Sequence, residues 1–68
     1  MTFNELIRRL EREGFRLSSE KGSVRIYRHP ASRRSVRVDY HGSKEIAVGT
    51  LNAILKRAGL QAEKGGEA

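Results

Sequence analysis

Cysteine is absent from this 68-residue sequence, proline occurs once, and acidic residues are outnumbered 8 to 14 by lysine and arginine. Without cysteine neither disulfide staples nor thiolate metal sites can form, which removes the two usual supports of small secreted scaffolds and fits a reducing interior. The cytoplasm is the expected location. No apolar run approaches the roughly 20 residues that a spanning helix needs, and the opening MTFNELIRRL places a glutamate where a signal peptide would carry its apolar core. Neither export nor membrane insertion is expected. The sequence also lacks a Gly-rich nucleotide loop, a nucleophilic triad and any His or acid pair at metal-ligand spacing, so no metal and no small-molecule cofactor is implied. A chain this short buries only ~60% of the surface that its unfolded form exposes, and it has room for one domain.

What is present is positive charge. The net charge is +6, and from Arg25 to Arg37 there are five arginines and no acid. A solvated loop could carry such a run. Arginine outnumbers lysine ten to four, however, and its planar fork suits phosphate where lysine is a point charge. The balance points to a polyanion, RNA above all.

Thr2 and Glu5 are spaced to satisfy each other's orphan backbone donors as a capping box, and Phe3, Leu6, Ile7 and Leu10 then recur at helical spacing until Gly14 ends the helix. Phe15, Leu17 and Ser19 alternate with Arg16, Ser18 and Glu20, which predicts a half-buried strand. Lys21-Gly22-Ser23 makes a turn, Val24 to Arg28 a second strand, His29 to Arg34 a proline-containing loop, and Ser35 to Tyr40 a third strand. In the third strand Val36, Val38 and Tyr40 share one face while Arg37, Asp39 and His41 share the other. The second strand's register stays open, because Val24, Ile26 and Tyr27 cannot all point one way without a bulge. After a polar loop from His41 to Glu45, residues Leu51, Ile54 and Leu55 mark a second amphipathic helix, with Gly59 as its stop and Leu60 folding back on it.

The expected fold is therefore α+β, in the order α-β-β-β-α, with a three-stranded antiparallel sheet covered on one face by two helices. One domain spans 1–60, and 61–68, with no apolar anchor, is expected to be a disordered tail. Arg16, Arg37 and Arg25 are expected on the uncovered face. Double-stranded-RNA-binding domains share this architecture, though fold alone does not fix function.

Two stretches of the chain resemble the HicA family, the toxins of HicA–HicB toxin–antitoxin modules. The residues that carry the likeness are Lys21-Gly22-Ser23 with Tyr27-Arg28-His29-Pro30, and Gly49-Thr50-Leu51 with Ile54-Leu55-Lys56 and Ala58-Gly59-Leu60. Glu5-Leu6-Ile7, Leu10 and Gly14-Phe15 match the family's first helix and turn. The resemblance implies an mRNA interferase, a metal-independent endoribonuclease that halts translation until a HicB-like antitoxin covers it. The family's catalytic histidine directly follows the Gly-Ser of the turn, and here that position is Val24. Valine neither accepts nor donates a proton, so the role does not carry over to residue 24.

Cutting RNA without a metal needs a base for the ribose 2′-OH, an acid for the leaving oxygen and cations on the phosphate, and imidazole suits the first two. His29 reads as a turn residue packed against its loop. His41, at the end of the third strand near Asp39, is the candidate catalytic residue; the plainer alternative is a loop histidine that caps the strand or contacts the antitoxin. Lys21, Gly22, Ser23, Arg25, Arg37 and Lys44 are the candidate RNA-binding residues, the glycine because it lets a backbone approach phosphate closely. Tyr27 and Tyr40 could stack on bases but read better as core. Two other readings stand beside the nuclease: a catalytically silent RNA-binding module of the same fold, and a surface that serves mainly to bind an acidic antitoxin-like protein.

Overall fold

A computed structural model describes residues 1–60; the expected tail at 61–68 lies outside the described residues. Helix α1 (Phe3–Arg12) starts as the sequence predicts. Thr2 Oγ1 accepts the Glu5 N–H at 3.2 Å, and the Thr2 N–H donates to Glu5 Oε1 at 2.8 Å. The bond from the Thr2 backbone, and after it the Thr2 hydroxyl beside the carboxyl, hold the Glu5 carboxyl below its ordinary value of 4.5. A depressed folded-state pKa stabilises the fold above the unfolded value, and the contribution is lost as pH falls through the folded one. Thr2→Ala is expected to cost about 1 kcal/mol at pH 7. Urea unfolding at a series of pH values checks this, and the gap between variant and wild type is expected to persist for the most part below pH 4.5, because the residue-2 backbone N–H that holds the Glu5 carboxylate is kept.

Both helices end in the same way. At the end of α1 the Gly14 N–H donates to Glu11 O at 3.0 Å and the Phe15 N–H to Leu10 O at 2.9 Å, with Gly14 at φ +100°. Helix α2 (Val48–Arg57) repeats the pattern, Gly59 to Lys56 and Leu60 to Leu55, with Gly59 at φ +77°. Only a residue without Cβ takes that backbone without strain, and the pairs of bonds satisfy carbonyls that the helix leaves open.

Strands β1 (Arg16–Lys21), β2 (Val24–Arg28) and β3 (Ser35–Asp39) form an antiparallel meander in the order β1-β2-β3. The helices cover one face. Phe3, Leu6, Ile7 and Leu10 of α1, Leu51 and Leu55 of α2 and Ala58 just after it pack on Phe15, Tyr27, Val36, Val38 and Ile46, all buried. Each large apolar side chain so removed from water stabilises the fold by about 1.5–3 kcal/mol.

The structure corrects two expectations and fixes the register that the sequence left open. All six residues of β1 are exposed, Leu17 to 47%, because the helices do not reach this edge. The second strand is regular, with Tyr27 buried and Val24 and Ile26 half-buried on the other face; the bulge lies in β1, between Leu17 and Ser19. Arg25 is not on the uncovered face. It pairs with Val38 on the helix side, where its guanidinium lies 4.0 Å from the centroid of the Tyr40 ring, hydrogen-bonds Tyr27 Oη at 3.4 Å and meets Glu20 at 3.4 Å. The bond to Tyr27 is the main reason its pKa rises above the ordinary arginine value.

Candidate nucleic-acid interface

Cross-strand pairing fixes what the open face displays, because residues directly opposite one another project to the same side. Three rows cross the sheet: Lys21–Val24–Asp39, Ser19–Ile26–Arg37 and Arg16–Arg28–Ser35. Four cations thus surround an apolar strip of Val24 and Ile26, and Asp39 is the one acid among these residues. Arg28 escaped the sequence reading. It could have been found by parity, since it is two residues from Ile26 and adjacent to the buried Tyr27.

Residues Gly22 and Ser23 form the two-residue turn between β1 and β2. Of the two, only Gly22 has positive φ, at 59°, as in a type II′ hairpin. A Cβ at Gly22 would meet nothing within 4 Å, so the turn is open to solvent. Ser23 is engaged: its hydroxyl donates to Asp39 Oδ1 at 2.8 Å, and its carbonyl accepts the Tyr40 N–H at 2.8 Å. The turn is thereby tied to the end of β3.

His41 follows that strand end. Its Nε2 lies 3.7 Å from Asp39 Oδ2, an ion-pair distance beyond hydrogen bonding, and its ring meets Phe3 edge-to-face with centroids 5.2 Å apart. Half of its side chain is exposed. The loop that carries it is held by the start of α1, whose orphan donors it satisfies: Asn4 N–H to Gly42 O at 3.0 Å and Phe3 N–H to Lys44 O at 3.1 Å. The Ile46 N–H to Met1 O bond at 2.9 Å and a hydrogen bond from Tyr40 Oη to Asn4 Oδ1 complete the attachment. Lys44 stands exposed in the same loop, three residues beyond His41.

His29 is committed elsewhere. Its Nδ1 accepts the N–H groups of Ala31 and Ser32 at 3.1 and 3.2 Å, which leaves Nε2 to donate to Glu13 O at 3.0 Å. The ring also packs edge-to-face on Phe15. With both nitrogens occupied it is a structural residue, as the turn reading held. Tyr27 is core, and Tyr40 packs against the core under Arg25.

Alongside β3 a groove of about 800 Å³ runs between the strand and α2, reaching from Phe3 and His41 at one end to Arg57 at the other. Among the described residues no cluster of three His, Cys, Asp or Glu is arranged to hold a metal ion, and no helix is long and apolar enough to cross a membrane. The open face as a whole can attract a polyanion, seat an apolar or stacked group on Val24 and Ile26, and bring an imidazole beside a carboxylate at its edge.

A family model for the HicA toxin of bacterial toxin–antitoxin systems matches residues 3–60. No curated protein matches the chain.

Proposed function

Because the chain belongs to the HicA toxin family, whose members act opposite a cognate antitoxin, we propose that it binds RNA across the open sheet face and cleaves mRNA without a metal ion, His41 moving the proton. One observation carries this reading. His41 faces Asp39, and Asp39 is the cross-strand partner of Val24. An imidazole therefore stands beside the position where the resemblance places the family's own catalytic histidine.

In this reading the Asp39 carboxylate favours the proton on Nε2 and leaves Nδ1 to take the proton of a ribose 2′-OH. The 2′-oxygen bonds to phosphorus as the P–O5′ bond breaks. One fragment ends in a 2′,3′-cyclic phosphate, and the other gains a proton from water to become a 5′-hydroxyl. Lys21, at the end of the Val24–Asp39 row, and Arg37, in the row next to it, offset charge developing on the phosphate. Lys44 and the Gly22 turn are further phosphate contacts within this proposal. Within this proposal Arg28 and Arg16, which share the open face, stand in place of Arg25.

A second reading draws on the same structure: residue 24 is valine and His29 is sequestered, which favours a module that binds RNA without cutting it. Incubation of the purified protein with mixed mRNA in chelator separates the two. Fragments are expected; bound but intact RNA would establish the silent module, and no binding at low salt would sink both. With four open-face cations on phosphates, log affinity for single-stranded RNA is expected to fall against log salt with a slope of about −3, and Lys21→Ala or Arg37→Ala to lower it by roughly 0.7 each. Affinity titrations across a salt series give the slope.

A further inference from the structure

β3 is an edge strand, and its free side can be read residue by residue. The Tyr40 N–H bonds to Ser23 O at 2.8 Å, and Arg34 O accepts the His29 N–H at 2.9 Å, so both ends of β3 are hydrogen-bonded to β2 at these positions. An antiparallel ladder alternates bonded and non-bonded pairs. Val38 and Val36, opposite Arg25 and Tyr27, are then the bonded residues between them. The N–H and C=O groups of Ser35, Arg37 and Asp39 turn outward, into the groove of about 800 Å³ that α2 walls on its far side. That wall is a helical stripe, Thr50, Ala53, Ile54 and Arg57, adjacent to the stripe that α2 buries in the core.

We infer that this edge is the docking strand for an extended acidic segment of the antitoxin, which joins the sheet as a fourth strand. The inference rests on the toxin–antitoxin reading above. Three features of the groove select the occupant. An edge strand offers donors and acceptors in alternation, which a peptide main chain satisfies in full, whereas RNA phosphates would use the donors and face the carbonyls as like partial charges. Ile54, Ala53 and Phe3 give alternate side chains of such a strand an apolar seat. Arg37 and Arg57 line the groove against a single carboxylate, Asp39, on a chain of net charge +6, so an acidic segment is complementary. A second copy of the chain would instead bring like charges together.

Such a segment would also lie across Asp39 and His41, at the end of the groove. Docking and masking of the imidazole are then one event.

The test uses the full chain, isotope-labelled for amide resonances, and a blocked six-residue peptide of alternating glutamate and valine. Amide signals of Ser35, Arg37 and Asp39 are expected to shift, and their hydrogen exchange to slow about tenfold at a peptide concentration ten times Kd. The same peptide with lysine for glutamate is expected to bind at least about tenfold more weakly. Ser35→Pro removes one outward N–H at the first residue of the strand without breaking a ladder bond, and should weaken binding about fivefold. Arg57→Glu, which leaves the strand untouched, should weaken it by about as much or more. No shift at millimolar peptide overturns the inference. So does protection centred on β1 or the open face, unchanged affinity in Arg57→Glu, or equal protection of these three amides by a single-stranded RNA oligonucleotide. None of these measurements reads cleavage, so a failed docking strand leaves the nuclease reading standing, and a failed nuclease leaves the docking strand.

Discussion

In chelator, Val24→His is expected to cleave mixed mRNA about 10²-fold faster than the wild type, or more, since a positioned proton-transfer group contributes roughly 10²–10⁴. The structure receives the new side chain at little cost. Val24 is half-buried on the open face, between Lys21 on one side and Asp39 on the other, so an imidazole there has a carboxylate to orient it and a cation for the phosphate. The change in strand propensity is worth less than about 1 kcal/mol. With His41 two residues past Asp39, the variant would hold two imidazoles at one end of the sheet, one for each proton that the reaction moves. Equal rates for variant and wild type would place the reaction away from this row of the sheet.

His41→Ala is expected to reduce cleavage by about 10²–10⁴ while leaving the salt slope of RNA binding unchanged. Fold and binding should survive because the 41–46 loop hangs on backbone bonds, Asn4 to Gly42, Phe3 to Lys44 and Ile46 to Met1, none of which uses the imidazole. What is lost is the edge-to-face contact with Phe3, worth about 0.5–1.5 kcal/mol. Cleavage at the wild-type rate in the alanine variant would assign the chemistry to some other group. A fall in binding equal to the fall in rate would make His41 a contact residue only. The fragments themselves are a further check: 2′,3′-cyclic ends are expected from a 2′-OH attack.

The parts of the fold that were legible are those set by residues close in sequence. Thr2 and Glu5 cap α1 with bonds to each other, and Gly14 and Gly59 end the helices because the required backbone excludes a Cβ. Alternation placed β3, whose Val36 and Val38 are buried and whose Ser35, Arg37 and Asp39 are exposed. Beyond that, local pattern ran out. Leu17 has the spacing of a buried strand residue yet stands exposed, since how far two helices extend across a sheet is a tertiary matter. The bulge at Leu17/Ser19 shifts β1's later residues against β2, and no turn residue announces it. Arg25 shows the limit most clearly for the site. In the sequence it belongs to a basic run; in the fold it lies over Tyr40 and bonds Tyr27, and the arginine that takes its place on the open face is Arg28.

His29 and Arg34, at the two ends of the loop between β2 and β3, each lie where a Cβ on a helix-ending glycine would fall: His29 Nε2 is 2.7 Å from that point at Gly14, and Arg34 Nε is 2.8 Å from it at Gly59. Each also bonds the helix it covers, His29 to Glu13 O and Arg34 to Arg57 O at 3.3 Å. One short loop is therefore a clasp on both helices at the pole of the molecule opposite the His41 end. Opening it would uncover the C-terminal ends of α1 and α2 at once. In a domain this small, where few apolar contacts bind the parts together, a loop tied to both helices couples their ends to each other.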